Sequence, residues 1–319
     1  MSRFGVLFII ILFSVIGVIV APHMFFTPNN LLAILEAGSL LGIVAVGVAF
    51  VTIGGNYCDL SVPGIMAFAG IIAVQFLRFG IVASIIAAIL AGILIGCING
   101  FMVGKLRANP IIWCLSIQFL LTGILRWVLR GTQLYPDMMP GVDANVVEIY
   151  YAIYRFRLFG VVPVVAITFI ALALLYQFIL SKSLYGQRLR MTGSNVDAAK
   201  CSGINTSRII ALTFIISGIS ASIGGLMLSS LSRVGAHYLG EGYDFSTVTA
   251  IVLGGVTLLG GRGNIFGVVG GVFSLGMINN IMTFLRVGIF ERLFFTGLIF
   301  IFIVWFNSFA LRKLGKDYV

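Results

Sequence analysis

Charge is scarce in this chain: only 9% of its 319 residues are Asp, Glu, Lys or Arg, against roughly a quarter in an average soluble domain. That scarcity excludes a soluble globular protein. A mean hydropathy of +1.13 leaves no polar stretch long enough for a separate catalytic or nucleic-acid-binding domain. The only two histidines, His23 and His237, are isolated at segment ends, so no metal site and no cofactor is expected. Cys58, Cys97, Cys114 and Cys201 include no C-x-x-C pair and fall in or near apolar segments, which indicates neither a disulfide framework nor a zinc site. A phosphate-binding G-x-x-x-x-G-K-[ST] loop is missing, so the chain has no P-loop route to nucleotide hydrolysis. No carboxylate pair stands at close helical spacing inside an apolar run, which argues against a proton relay.

What is present is apolar. Hydrophobic residues make up 60% of the chain, in continuous runs rather than the alternation of a membrane barrel strand. Each membrane-crossing helix needs about 20 such residues. Runs bounded by charge, Pro, Gly or Asn occur at 4–22, 31–53, 61–77, 81–104, 111–129, 158–180, 209–231, 245–259, 265–285 and 291–310. They predict an all-α, polytopic membrane protein with about ten transmembrane helices. The first run could pass for a signal peptide, but it is long for one, and Pro22-His23-Met24 does not resemble a small-residue cleavage site. It is therefore read as the first span.

The net charge of +10 would point to nucleic acid in a soluble protein. In a membrane protein, basic residues instead mark cytoplasmic loops, and no nucleic-acid partner is expected. With both termini cytoplasmic, the inner side holds Arg3, Lys105, Arg107, Lys182, Arg188, Arg190, Lys200, Arg208, Arg262, Arg312, Lys313 and Lys316. The outer side holds Arg78, Arg126, Arg130, Arg155, Arg157, Arg233, Arg286 and Arg292. The bias follows the positive-inside rule.

Two connections are not apolar. The outer one, 130–157, mixes Asp137, Asp143 and Glu148 with Tyr135, Tyr150, Tyr151 and Tyr154, as an interfacial loop or short helix at the lipid headgroups would. The inner one, about 181–208, contains a segment that Asn195 or Ser194 can cap and Gly203 can end, which predicts a short amphipathic helix along the membrane surface.

Glycine interrupts two further regions. The run Gly54-Gly55-Asn56-Tyr57-Cys58-Asp59-Leu60-Ser61-Val62 sets Asp59 and Ser61 at the start of a helix, where the positive helix end favours Asp. It reads either as an element lining a pathway or as a capped turn at the inner surface. Asp59 in turn either orders the broken element by accepting backbone N–H bonds or binds solute directly. The second region runs from Gly254 and Gly255 through Gly260, Gly261, Gly263, Gly267, Gly270 and Gly271, with small-residue spacing suited to close helix packing. Its Gly260–Gly267 stretch has a superficial likeness to a dinucleotide fingerprint but belongs to no βαβ unit.

These two runs, together with the cytoplasmic stretch from Tyr185-Gly186-Gln187 through Thr192-Gly193-Ser194-Asn195-Val196-Asp197-Ala198-Ala199-Lys200-Cys201-Ser202-Gly203-Ile204, resemble the permeases of ribose-type sugar ATP-binding-cassette importers. The likeness covers nearly the whole chain in the right order. It implies one transmembrane permease domain over 1–319 in a bacterial cytoplasmic (inner) membrane, importing a monosaccharide or related small polar solute. It also implies three kinds of partner: a cytoplasmic ATPase subunit, a periplasmic or lipid-anchored solute-binding protein, and a second permease chain. By the same resemblance, Gly193, Asn195, Asp197, Ala198, Ala199, Gly203 and Ile204 belong to a helix that docks on the ATPase, and Asn56, Asp59, Ser61, Gly254 and Gly255 to the substrate pathway. The family commonly reads Gly-Gly-Ile-Asp-Leu-Ser, whereas Asn56, Tyr57 and Cys58 stand here between Gly55 and Asp59. A branched-chain amino acid importer permease and a secondary transporter are the alternatives. A chain without an ATPase motif or a proton relay borrows its driving force, and its one substantial cytoplasmic loop is the natural place to receive it.

Overall fold

The computed structural model describes residues 3–288, 291, 292, 294–299 and 301. Seven of the described helices are long and apolar enough to cross a membrane. In chain order the first five helices, long and short, are α1 (Arg3–Val20), α2 (Pro28–Ile53), α3 (Val62–Phe76), α4 (Ile81–Gly104) and α5 (Pro110–Val128). The connection after α5 then folds as helix α6 (Ala144–Arg155) and a two-stranded hairpin, β1 (Arg157–Leu158) with β2 (Val162–Pro163). Asp143 caps α6 by accepting from the Asn145 N–H. Beyond the hairpin come α7 (Val164–Lys182), α8 (Leu184–Ser194), α9 (Val196–Cys201), α10 (Thr206–Ser232), α11 (Tyr243–Leu253) and α12 (Ile265–Phe284).

The long spans are α2, α3 with its 3-10 extension to Phe79, α4, α5, α7, α10 and α12; the apolar part of α1 and α11 are shorter. The run expected at 245–259 is thus a helix of 11 residues, ~16 Å long, because the Gly254-Gly255 turn ends it. The expected run at 291–310 lies largely outside the described residues, as does the C-terminus.

At the centre stands α10, whose 27 residues give ~40 Å of length, packed on α2, α3 and α4. Its seam with α4 is backbone against backbone. Gly92, Gly96, Gly100 and Gly104 repeat every fourth residue, so they share one face of α4. A Cβ at Gly96 would come within 2.6 Å of the Phe214 carbonyl oxygen, and one at Gly100 within 2.7 Å of the Ala211 Cα. Gly218 of α10 and Gly92 each touch the other's carbonyl oxygen in the same way. Apolar association in a membrane has no water to expel, so close van der Waals approach of this kind supplies the attraction.

Candidate functional site

Two broken elements position the site, and their glycines explain the breaks. Gly54 and Gly254 have nearly the same backbone, φ −70° with ψ −2° and φ −68° with ψ −2°, and each is followed by a left-handed glycine, Gly55 at φ +82° and Gly255 at φ +81°. Asn56 N–H bonds to the Val51 carbonyl at 3.2 Å, and Val256 N–H bonds to the Ile251 carbonyl at 3.2 Å. Both are Schellman caps, in which the left-handed residue costs glycine nothing and satisfies the last carbonyls of the helix.

After the first cap the chain turns back along the bundle toward α3. Asp59 is fully buried here and fully engaged. Its Oδ1 accepts from the Ser61 backbone N–H at 3.0 Å and from the Ser61 hydroxyl at 2.5 Å, and its Oδ2 accepts from the Ser217 hydroxyl of α10 at 2.8 Å. Asn99 of α4 donates to the Ser61 oxygen at 2.9 Å, and the Trp113 indole N–H of α5 donates to Asn99 at 3.0 Å. One polar chain thus ties α3, α4, α5 and α10 together. Asn56 is also buried, donating to the Gly54 carbonyl at 3.2 Å. Tyr57 differs: it is 45% exposed, and its φ of +57° places an aromatic residue in the left-handed region.

The second broken element enters from the other side. Residues 233–242 leave α10 and run down α3: Gly235 lies against Ile71 and Val74, and Gly240 against Met66 and Pro63. That is a descent of about 12 Å on the α3 scale, and it starts α11 deep within the bundle. Glu241 is exposed and Asp244 half-buried, and neither forms an ion pair among the described residues. Asp244 stands ten residues before Gly254, ~15 Å along the axis, or half of a hydrocarbon core of about 30 Å. Carboxylates at that depth face protein or a wet cavity, not lipid. The sequence reading missed both residues. The signal was an apolar run too short to span, preceded by Gly240-Glu241-Gly242.

Between α7 and α10 the chain folds as the two short helices α8 and α9. Asn195 caps α9 by accepting from the Asp197 and Ala198 N–H groups at 3.0 and 2.9 Å. Gly203 ends it at φ +76°, with Gly203 N–H bonded to Lys200 and Ile204 N–H to Ala199. Asp197 and Ala198 are exposed, and Ala199 is buried. Helix α8 itself was not foreseen. Its Tyr185 stacks on Phe50 of α2, Leu189 is fully buried, and Gly193 meets the carbonyl of Ile53.

Beside α6 lies a hollow of about 460 Å³ bounded by Glu148, Ile149, Tyr151, Ala152, Arg155 and Arg233. Arg233 lies over the Tyr151 ring at 4.7 Å, and the Tyr151 hydroxyl donates to Asp137 at 3.0 Å. Desolvation, followed by the hydrogen bond and negative charge of Asp137, pushes that hydroxyl up to about 12.

Residues 30–304 match the family described as branched-chain amino acid transport system / permease component. The chain belongs to this permease family. The permease is 32% identical over 289 residues to the ribose import permease protein RbsC of Bacillus subtilis, covering 88% of this chain and 85% of that one. It is 29% identical over 313 residues to the L-arabinose transport system permease protein AraH of Escherichia coli, covering 98% and 92%. It is 28% identical over 306 residues to the autoinducer 2 import system permease protein LsrC of Yersinia pseudotuberculosis, covering 95% and 84%. No solved structure matches the permease.

Proposed function

We propose that this permease is the membrane subunit of an ATP-driven importer for a monosaccharide or related small polar solute. The observation that carries the reading is α9, a helix capped at both ends that leaves Asp197 and Ala198 exposed on the basic side of the chain. It has the form of a docking element for a cytoplasmic ATPase. Relatives named for ribose, arabinose and autoinducer 2, each matched over most of its length, favour the sugar-type branch over amino acids.

In this reading the whole chain is one permease domain with ten crossings and both termini cytoplasmic, in a bacterial inner membrane. Its partners are the ATPase, an extracytoplasmic solute-binding protein seated on the outer face, and a second permease chain, the same or homologous. The pathway passes the surface bearing Tyr57, Glu241 and Asp244. Asn56, Asp59 and Ser61 stand behind that surface and hold its backbone in place, while Gly254 and Gly255 end the half-helix that carries Asp244.

The test is uptake into proteoliposomes holding the permease with its cognate ATPase and binding protein, using labelled pentoses, hexoses and leucine. Sugar uptake that needs ATP and the binding protein is the expected result. Leucine uptake without sugar uptake would select the amino acid branch. Uptake that survives an inactive ATPase but collapses with a proton or sodium gradient would select a secondary transporter.

A further inference from the structure

Helix α8 is attached to the bundle by one face. Tyr185, Leu189 and Gly193 recur every fourth residue and so line up along it. That face lies on α7, α10 and the inner end of α2: the Tyr185 hydroxyl donates to the Ile209 carbonyl of α10 at 3.4 Å, its ring is stacked on Phe50 with centroids 6.3 Å apart, and the Leu189 side chain is 3.2 Å from where a Gly54 Cβ would stand. At Gly193 the contact becomes backbone on backbone. A Cβ there would strike the Ile53 carbonyl oxygen and come within 2.7 Å of the Gly261 nitrogen.

The other side of Gly193 is closed by the loop after α11. A Cβ at Gly260 would stand 2.5 Å from the Gly55 Cα and 2.7 Å from the Gly193 oxygen, and the Gly261 N–H bonds to the Ile53 carbonyl at 2.8 Å. The end of α8 is therefore held between the turn that ends α2 and the turn that leads into α12. Neither turn is its neighbour in sequence. Contacts made by backbone alone have no side-chain rotamers to absorb a displacement, so they carry motion as a rigid unit.

We propose that Gly193 is the joint of the permease: movement imposed on α9 passes through it to the inner ends of α2 and of the 254–264 loop together. This rests on α9 being the ATPase docking element. Gly193 is a positioning residue and touches neither solute nor nucleotide. Through its two contacts, one docking event moves both broken elements, Gly54–Ser61 and α11, that bear the exposed polar residues.

The test uses the assembled transporter with Cys97 and Cys201, both exposed, replaced by serine. A Cβ at Gly261 would lie 3.0 Å from that of Ser194, less than an ångström short of disulfide spacing. The pair Ser194→Cys with Gly261→Cys locks α8 to the loop. A rigid joint predicts that the disulfide forms in nucleotide-free and ATP-trapped complexes alike and that oxidation leaves uptake unchanged. Uptake lost on oxidation and regained on reduction would show that the contact opens during the cycle, and would overturn the proposal.

The companion variant is Gly193→Ala. Its Cβ would push the end of α8 off the Ile53 carbonyl, so in complexes that copurify with the ATPase the solute imported per ATP hydrolysed is expected to fall about tenfold, within the usual range of coupling between sites. A merely structural role would lower both activities together, and an unchanged ratio would overturn the proposal. The importer reading fails separately, in the unsubstituted complex.

Discussion

Glycine works in opposite ways in two regions of this permease. Along the α4–α10 seam, Gly92, Gly96, Gly100, Gly104 and Gly218 sit inside unbroken helices, and their use is the side chain they lack. At Gly55, Gly203 and Gly255 the use is a left-handed backbone that ends a helix. The first arrangement makes two spans into one unit. The second leaves hinges, irregular segments and exposed polar groups. A membrane protein concentrates both in one chain because lipid gives no hydrophobic reason for helices to associate and forbids irregular backbone outside protein or a wet cavity.

The largest effect is expected in the seam. Gly218→Leu forces a side chain between α10 and the Gly92 carbonyl, and should cost about 3 kcal/mol or more, the upper end for overpacking. Thermal unfolding in detergent should show a large drop with little assembled transporter left. An unchanged melting temperature would mean that the seam is loose and that the contrast with the turns is false.

Asp59 is of the same order, since it anchors the first broken element to the seam helices. Asp59→Leu strands the Ser61 N–H and two hydroxyls in a buried site, at about 1–3 kcal/mol for each lost partner. Asp59→Asn keeps a capping oxygen and should lose about 1 kcal/mol. Uptake at several solute concentrations, with membrane expression matched, separates ordering from binding. Equal, severe loss in both variants would favour direct solute contact.

Gly203→Val isolates the turn function. Nothing lies within 4 Å of a Cβ at this position, so the only cost is a β-branched residue at φ +76°, about 1–2 kcal/mol. The protein should insert normally while transport and stimulated ATP hydrolysis fall together. Normal stimulation in the reconstituted complex would remove α9 from the coupling path. Lys182→Cys, with no expected change in stability, should react with a membrane-impermeant thiol reagent only in opened cells. Labelling of intact cells would invert the threading and place α8 and α9 outside.

The apolar spans were legible from composition and run length, because a span must carry its own hydrophobicity. So were the caps of α9, since Asn195 and Gly203 act within two to five residues of themselves. Asp59 was legible as a helix-start residue. Its partner Ser217, 158 positions away, was not, because a hydroxyl every few residues along α10 gives no sign of which one faces α3. The four-residue glycine repeat of α4 stood in the sequence, but no periodicity says that α10 is the helix lying against it.

Sequence by itself determined which segments are apolar, which residues bound α9, and which loops are basic, because each of these depends on neighbours within a turn or two. Only the tertiary structure decided that Gly193 lies between Gly55 and Gly260, that Asp59 is closed off while Tyr57 is exposed, and that Glu241 and Asp244 follow a segment that runs back along α3. Those facts depend on how the spans are arranged around α10. That arrangement is set by close packing among residues far apart in the chain, for which local pattern carries no address.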